Sequence, residues 1–309
     1  MRLAFPALAL ILIALPAATA QADPVEVETH VLLINFGNYD ANKGTYVMDF
    51  YVWFVWNASS APQGFTPERF EFMNGRASAK ERIFDQTNET TGMRELWFRV
   101  QANLYTDPLF ADYPYDRQRL AITFEDPVYT VGELRYVPDR DASGLDENVR
   151  VAGWRIESWG MEETRKTYRF DETYSRLVFT MEVAREPVST TVKTFLPPIA
   201  FMIVSGLSFF FHPSKVANRL GLGTSMLISA VLYHISQIVN LPSGGRLMLL
   251  DKIMFSVYAF LAGSLVVTTL IAIDEDYWKD RDYTRQINLY GGLATVLLPF
   301  VVFALIGLF

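Results

Sequence analysis

The hydrophobic positions of this chain change their period once along its length. In residues 45–57, TYVMDFYVWFVWN, Met48, Phe50, Val52, Phe54 and Trp56 fall on one side, and Thr45, Asp49, Tyr51, Trp53 and Asn57 on the other. A period of two is that of a strand with one face in a core. Residues 119–125 repeat it with Leu120, Ile122 and Phe124, and residues 176–182 with Leu177, Phe179 and Met181. Runs of this kind, broken by Gly, Pro, Asn and Asp clusters and with no long helical period, predict an all-β, immunoglobulin-like sandwich over residues 21–192. The charged run PDRDASGLDEN at 138–148 is expected to be a solvated loop.

From Lys193 the pattern is different. Residues 194–211, 253–273 and 287–309 carry no charge, and 220–245 none beyond a proton on His234. About 20 apolar residues cross the hydrocarbon of a bilayer as a helix. Four transmembrane helices are therefore expected within 193–309, at about 194–211, 218–241, 249–273 and 287–309. Pro197, Pro198 and Pro299 lie inside these runs, where neighbouring helices satisfy the freed carbonyls. Residues 1–20, MRLAFPALALILIALPAATA, have one Arg, an apolar run and a small-x-small end. They read as a signal peptide cut after Ala20. The β-domain is then exported, and with four helices both termini lie outside, in the periplasm or the extracellular space, with the helices in the inner membrane. Lys215, Arg219, Lys279, Arg281 and Arg285 fall in the inner connections, against Arg246 and Lys252 outside. That is the expected basic bias, although Asp274, Glu275, Asp276, Asp280 and Asp282 share the inner side.

The second helix is unlike the others. It carries Gly221, Gly223, Thr224, Ser225, Ser229, His234, Ser236 and Gln237. At 3.6 residues per turn, Ala217, Gly221, Ser225, Ile228, Leu232, Ile235 and Val239 form one stripe. A ring of such helices would line a conduit, narrow and hydroxylated at the inner end. An apolar belt of Ile228, Leu232 and Ile235 would close it by excluding water. The same small and hydroxylated residues also suit close packing of membrane helices. Periodicity alone leaves both readings open. His234 by itself reads more readily as a hydrogen bond between helices than as a proton sensor.

Composition narrows the classes. Half of the 309 residues are hydrophobic and the net charge is −7, which argues against a nucleic-acid partner. There is no cysteine, and His30, His212 and His234 are too scattered in sequence to suggest a metal ligand set. No Gly-x-Ser-x-Gly, phosphate loop or ligand cluster is present, so neither an enzyme nor a cofactor is expected.

Short motifs add a resemblance. DYPYDRQ at 112–118 resembles the aromatic-Pro-aromatic-Asp signature of the Cys-loop receptor superfamily, the pentameric ligand-gated ion channels. The two cysteines of that loop would fall at Thr106 and Leu120, and their loss is what bacterial members show. GWRIESW at 153–159 is similar to a strand motif of the proton-gated bacterial members. FTPE at 65–68 is similar to an element of the first binding loop. Arg185 stands twelve residues before Pro197, and Asn240-Leu241-Pro242 closes the second helix, as in that family. The resemblance covers residues 25–309.

It implies a homopentamer in membrane lipid, passing inorganic ions along the stripe of the second helix. It implies an agonist between subunits, near Tyr51, Trp53, Phe72, Met73, Glu125, Tyr129, Tyr168, Phe170 and Tyr174. Such rings suit an amine. However, no tryptophan stands near Pro127 and no cysteine pair tips the third loop, so protons or a divalent ion are alternatives. It implies coupling through Asp116, Arg185, Lys43, Tyr113, Pro114, Pro242 and Arg246. The inner mouth, Ala217-Asn218-Arg219, has no carboxylate, and the run 219–224 is similar to that of anion-conducting members. The lean is to an anion-permeable or poorly selective pore, with a proton- or divalent-gated cation channel as the alternative. A rival from another class is a membrane-anchored periplasmic binding protein with no pore.

Overall fold

The computed structural model describes residues 23–239, 241, 247–278 and 280–307. The signal-peptide expectation, and the coupling residues Pro242 and Arg246, lie outside the described residues. Ten strands form the N-terminal part: β1 (Val25–Phe36), β2 (Thr45–Asn57), β3 (Glu71–Phe72), β4 (Gly75–Thr87), β5 (Met93–Tyr105), β6 (Arg117–Glu125), β7 (Leu134–Pro138), β8 (Gly144–Leu145), β9 (Trp154–Thr167) and β10 (Thr173–Arg185). One sheet runs β4-β5-β2-β1-β7, with β8 also on β1; the other runs β3-β6-β10-β9. β7 and β8 lie parallel to β1, and the remaining pairs are antiparallel.

The alternation explains why the two sheets share one core. Met48, Phe50, Val52 and Phe54 of β2 are fully buried, as are Leu120, Ile122 and Phe124 of β6 and Leu177, Phe179 and Met181 of β10. Each contributes about 1.5–3 kcal/mol relative to exposure. Tyr46 ties the sheets together with a polar handle. Its hydroxyl donates to the carbonyl of Ala121 at 2.7 Å and accepts from the Ala121 N–H at 2.9 Å.

The run 138–148 is mostly loop with several exposed residues, as expected from its charge, but it is tied to the sheet at two points. β8 pairs with β1, and Arg140 donates through Nε and Nη2 to the Met161 carbonyl at 3.0 and 2.9 Å. The Arg140 side chain reaches a backbone acceptor on a neighbouring strand, which sequence polarity does not reveal.

β10 passes through Glu186 into α1 (Pro187–Gly206), which ends in a 3-10 turn, Leu207–Phe210. The helix begins ahead of 194 because Pro187 sits in its first turn, where no N–H is needed. There follow α2 (Val216–Ile238) and α3 (Leu249–Ile273), the latter continued by a π-helical Asp274–Trp278. α4 (Arg281–Gln286) runs through π-helical Ile287–Gly291 into α5 (Gly292–Ile306). The result is a four-helix bundle in which α3 touches each of the others. Among the described residues, three stretches are long and apolar enough to cross a membrane: Pro187–Phe210, Leu249–Tyr277 and Asp282–Ile306. They are consistent with a multi-pass membrane protein. α2 has the length, about 34 Å at 1.5 Å per residue, but its polar residues set it apart from these three.

Candidate functional site

On α2 the seven stripe residues all face away from the rest of the chain. Ala217, Gly221 and Ser225 are exposed, and Ile228, Leu232, Ile235 and Val239 are 60%, 62%, 51% and 68% exposed. The opposite face, Arg219, Gly223, Ala230 and His234, is buried against the bundle. The two glycines separate the two roles that sequence left open. A Cβ on Gly223 would stand 2.6 Å from Leu265 Cδ2, so that glycine permits α2 to approach α3. A Cβ on Gly221 would meet nothing within 4 Å, so close packing within the chain does not require it. The hydroxyls of Thr224, Ser229 and Ser236 donate to carbonyls of their own helix.

Arg219 does not join the stripe. Its Nη2 donates to Asn288 Oδ1 at 2.6 Å and its guanidinium lies 5.6 Å from the Phe209 ring centroid. The cation that sequence placed at the inner mouth is turned into the bundle, leaving Ala217 and Asn218 exposed there. His234 bridges α2 and α3: Nδ1 bonds the Tyr258 hydroxyl and Nε2 bonds Asp251 Oδ1, both at 2.9 Å.

Above the bundle, the 112–118 loop meets it directly. Arg185 Nε donates to Asp116 Oδ1 at 2.6 Å, and Gln118 Nε2 to Oδ2 at 2.8 Å. The Asp116 side chain is 2% exposed and that of Arg185 23%. The guanidinium also lies 4.5 Å from the Trp154 ring and 5.0 Å from Tyr113. The Tyr113–Pro114 peptide is cis. Lys43 is an exposed residue of the β1–β2 hairpin, 3.5 Å from Asp40. That hairpin, Tyr113, Trp154 and Arg185 share a cleft of about 690 Å3 with Ser236 and Gln237 of α2.

One element of this junction was missed by sequence reasoning. The N–H groups of Leu249 and Leu250 donate to the carbonyls of Ala111 and Tyr113, each at 3.0 Å. The loop thus caps the first turn of α3, whose amides have no partner within the helix. Backbone contacts of this kind leave no residue signature.

The nine residues expected near an agonist separate into distinct places. Met73, Glu125, Tyr168, Phe170 and Tyr174 come together at the β9–β10 hairpin. The Tyr168 hydroxyl bonds Glu125 Oε1, its ring stacks on Phe170 at 5.4 Å, and Tyr174 stands edge-on at 5.7 Å. Arg176, which sequence did not suggest, donates to Glu125 Oε2 through Nε at 3.0 Å and Nη2 at 2.9 Å. Glu125 is therefore neutralised in place and is not offered to a cation. Asp126 is buried, its Oδ1 accepts from Val128 and Tyr129, and burial raises its pKa against those bonds. The hydrogen bond from Tyr174 to Glu172 pushes the phenol up to about 12.

Phe72 belongs to the core instead, edge-on to Phe50 and Phe70, and Tyr129 packs on Phe65 at 4.8 Å. Tyr51 and Trp53 lie on the outer face of the other sheet. Trp53 is nonetheless buried, because His30 stacks on it at 4.6 Å from one side and Trp97 at 4.4 Å from the other.

No protein-family model matches this chain. It is distantly related in sequence to several Cys-loop receptor subunits. It is 25% identical over 203 residues to the pH-sensitive chloride channel 2 of Drosophila melanogaster, covering 61% of this chain and 38% of that protein. It is 21% identical over 170 residues to the acetylcholine receptor subunit alpha-1-B of Xenopus laevis, covering 54% and 37%. It is 23% identical over 272 residues to the gamma-aminobutyric acid receptor subunit alpha-2 of Rattus norvegicus, covering 78% and 58%. The chain thus spans between about a third and three fifths of the length of these relatives. All are non-catalytic channel or receptor subunits, in keeping with the expectation that this chain is not an enzyme.

Proposed function

We propose that five copies of this chain form a ligand-gated ion channel of the Cys-loop receptor superfamily, with α2 lining the pore. The observation that carries this reading is the stripe. Seven residues at helical spacing face away from the chain's own bundle, and four of them are large and apolar. In a ring of five, Ile228, Leu232 and Ile235 form a belt that excludes water when the pore is narrow. Gly221 and Ser225 line the inner end below it.

The agonist site lies between subunits. Tyr168, Phe170 and Tyr174 of one copy face the outer-sheet surface of Tyr51 and Trp53 on the next. With Glu125 held by Arg176, the aromatic rings themselves are the attraction for an amine. Coupling runs from this site to the 112–118 loop, through Asp116 and Arg185, and on to the capped start of α3. The β-domain and the C-terminus lie outside the inner membrane.

The pore is anion-permeable or poorly selective. No carboxylate occupies the inner end of the stripe, and the N-terminus of each α2 points its positive helix dipole there. Arg219 adds little directly, since it faces Asn288.

Two measurements test the reading. Native mass spectrometry of the purified protein is expected to give a pentamer. Voltage-clamp recording while screening pH, calcium and small amines is expected to give gated currents. A species other than a pentamer, with no current under any condition, overturns it in favour of a membrane-anchored binding protein. A reversal potential that tracks sodium overturns the selectivity alone.

A further inference from the structure

We infer that Glu28, His30 and Asp139 form a binding site for a zinc-class divalent cation on the outer face of the six-stranded sheet. His30 is only 5% exposed, yet neither ring nitrogen has a hydrogen-bond partner among the described residues. A buried polar group without a partner is unfavourable unless something pairs with it. Nδ1 stands 3.4 Å from Asp139 Oδ2, and one ligand atom from each of Glu28, His30 and Asp139 lies within 4.8 Å of the others.

The fold prepares each group. Glu28 and His30 are two apart on β1 and so share a face. The parallel pairing of β1 with β7, in which Thr29 lies opposite Pro138, delivers the following residue, Asp139, beside His30. Asp139 is held there by its own N–H, which donates to the Thr29 carbonyl at 3.0 Å. Its Oδ1 accepts from Asp141 N at 2.8 Å, which leaves Oδ2 toward the imidazole. The His30 ring lies flat on Trp53, 6° from parallel, so its orientation is fixed and its nitrogens sit at a defined edge. Glu28 is exposed and free to close on an ion.

The chemistry selects the ion. One imidazole and two carboxylates suit zinc and similar metals, whereas calcium takes six to eight oxygens. Zinc bonds of roughly 2.0–2.2 Å in a tetrahedron place ligand atoms about 3.4 Å apart. The set therefore has to contract by no more than about 1.4 Å, which the exposed Glu28 carboxylate can supply. Three protein ligands leave the fourth position open to water or an exogenous ligand. Sequence spacing hid the site because Asp139 reaches His30 only through strand register.

The test is calorimetric titration of the full chain in detergent with zinc chloride alone, paired with thermal melting. One zinc per chain is expected, with a rise in melting temperature. Glu28→Gln and Asp139→Asn are each expected to weaken zinc about tenfold or more, and His30→Gln to abolish it. Where the two packed positions lower the basal melting temperature, exposed Glu28→Gln still carries the test. The inference is overturned by no zinc binding, by unchanged zinc affinity in Glu28→Gln, or by calcium binding as tightly as zinc.

Discussion

In the β-domain the largest side chains are enclosed by their own chain, with Tyr46, Phe50, Phe54, Trp56 and Phe124 all fully buried. In the helices the large apolar residues are mostly turned outward, up to 85% exposure for Phe210. The same kind of residue therefore does different work in the two regions. In the first it is held by the hydrophobic effect within one chain. In the second it faces whatever surrounds the bundle, lipid on most sides and, in the pentameric reading, water and neighbouring copies along α2. Lipid tails give no hydrophobic drive between helices, so close approach and hydrogen bonds such as those of His234 hold the bundle instead.

The sharpest way to break this comparison is to truncate one large side chain in each region. Phe124→Ala removes a ring packed against Phe54, Phe70, Phe72 and Tyr136. It is expected to cost about 3–5 kcal/mol, read from denaturant unfolding of the β-domain signal by circular dichroism. Leu232→Ala, at an exposed position, is expected to stay within about 0.5 kcal/mol. Equal losses at the two sites would mean that the stripe is packed after all.

The junction comes next, where the two kinds of stabilisation meet. Arg185→Ala strands the buried Asp116 carboxylate, at an expected cost of about 3 kcal/mol, the lower end for a broken buried pair because Arg185 is partly exposed. If the variant assembles as pentamers and gates normally, the pair only holds the domain together and does not transmit a signal.

A smaller effect tests the polar tie inside the apolar core. Tyr46→Phe leaves the Ala121 N–H without its partner, while the Ala121 carbonyl keeps the bond from Asn74 Nδ2 at 2.8 Å, at about 1–3 kcal/mol. Burial pushes the Tyr46 phenol up from 10.0 to about 12. Above pH 10 the unfolded chain loses this proton while the folded one keeps it, so the stability it contributes is lost as pH rises toward 12. Melting temperatures across that window are expected to fall less steeply in Tyr46→Phe than in the parent. Equal slopes would assign the alkaline loss to other groups.

How much of this was legible in sequence depends on what each feature rests on. The period of two in β2 specified its inward face correctly, because one buried face leaves a pattern. It did not show that Trp53 is covered, because the cover comes from His30 and Trp97 on adjacent strands. The Asp116 and Arg185 positions followed from motif resemblance. The Arg176 contact to Glu125 and the caps on α3 did not, because they depend on register and on backbone. The orientation of Arg219 was hidden for the same reason: its partner Asn288 is brought to it only by the folding of the fourth helix.

Effects no larger than that at Tyr46 are expected at the two glycines of α2, and they separate its two faces most cleanly. Gly223→Ala puts a methyl against Leu265, where α2 and α3 approach, and overpacking of this kind costs about 1–3 kcal/mol. Gly221→Ala meets open space, and Ala is favoured over Gly in a helix by about 0.5–1 kcal/mol. Thermal melting in detergent is therefore expected to fall for the first and to hold or rise slightly for the second. In the proposed pentameric channel the order of consequences reverses. A ring of methyls at 221 narrows the inner end of the stripe and is expected to reduce single-channel conductance, while Gly223→Ala, on the packed face, leaves the pore radius unchanged. A stability loss at 221 equal to that at 223 would mean that both faces of α2 are packing surfaces, and the pore-lining reading would fall with the comparison.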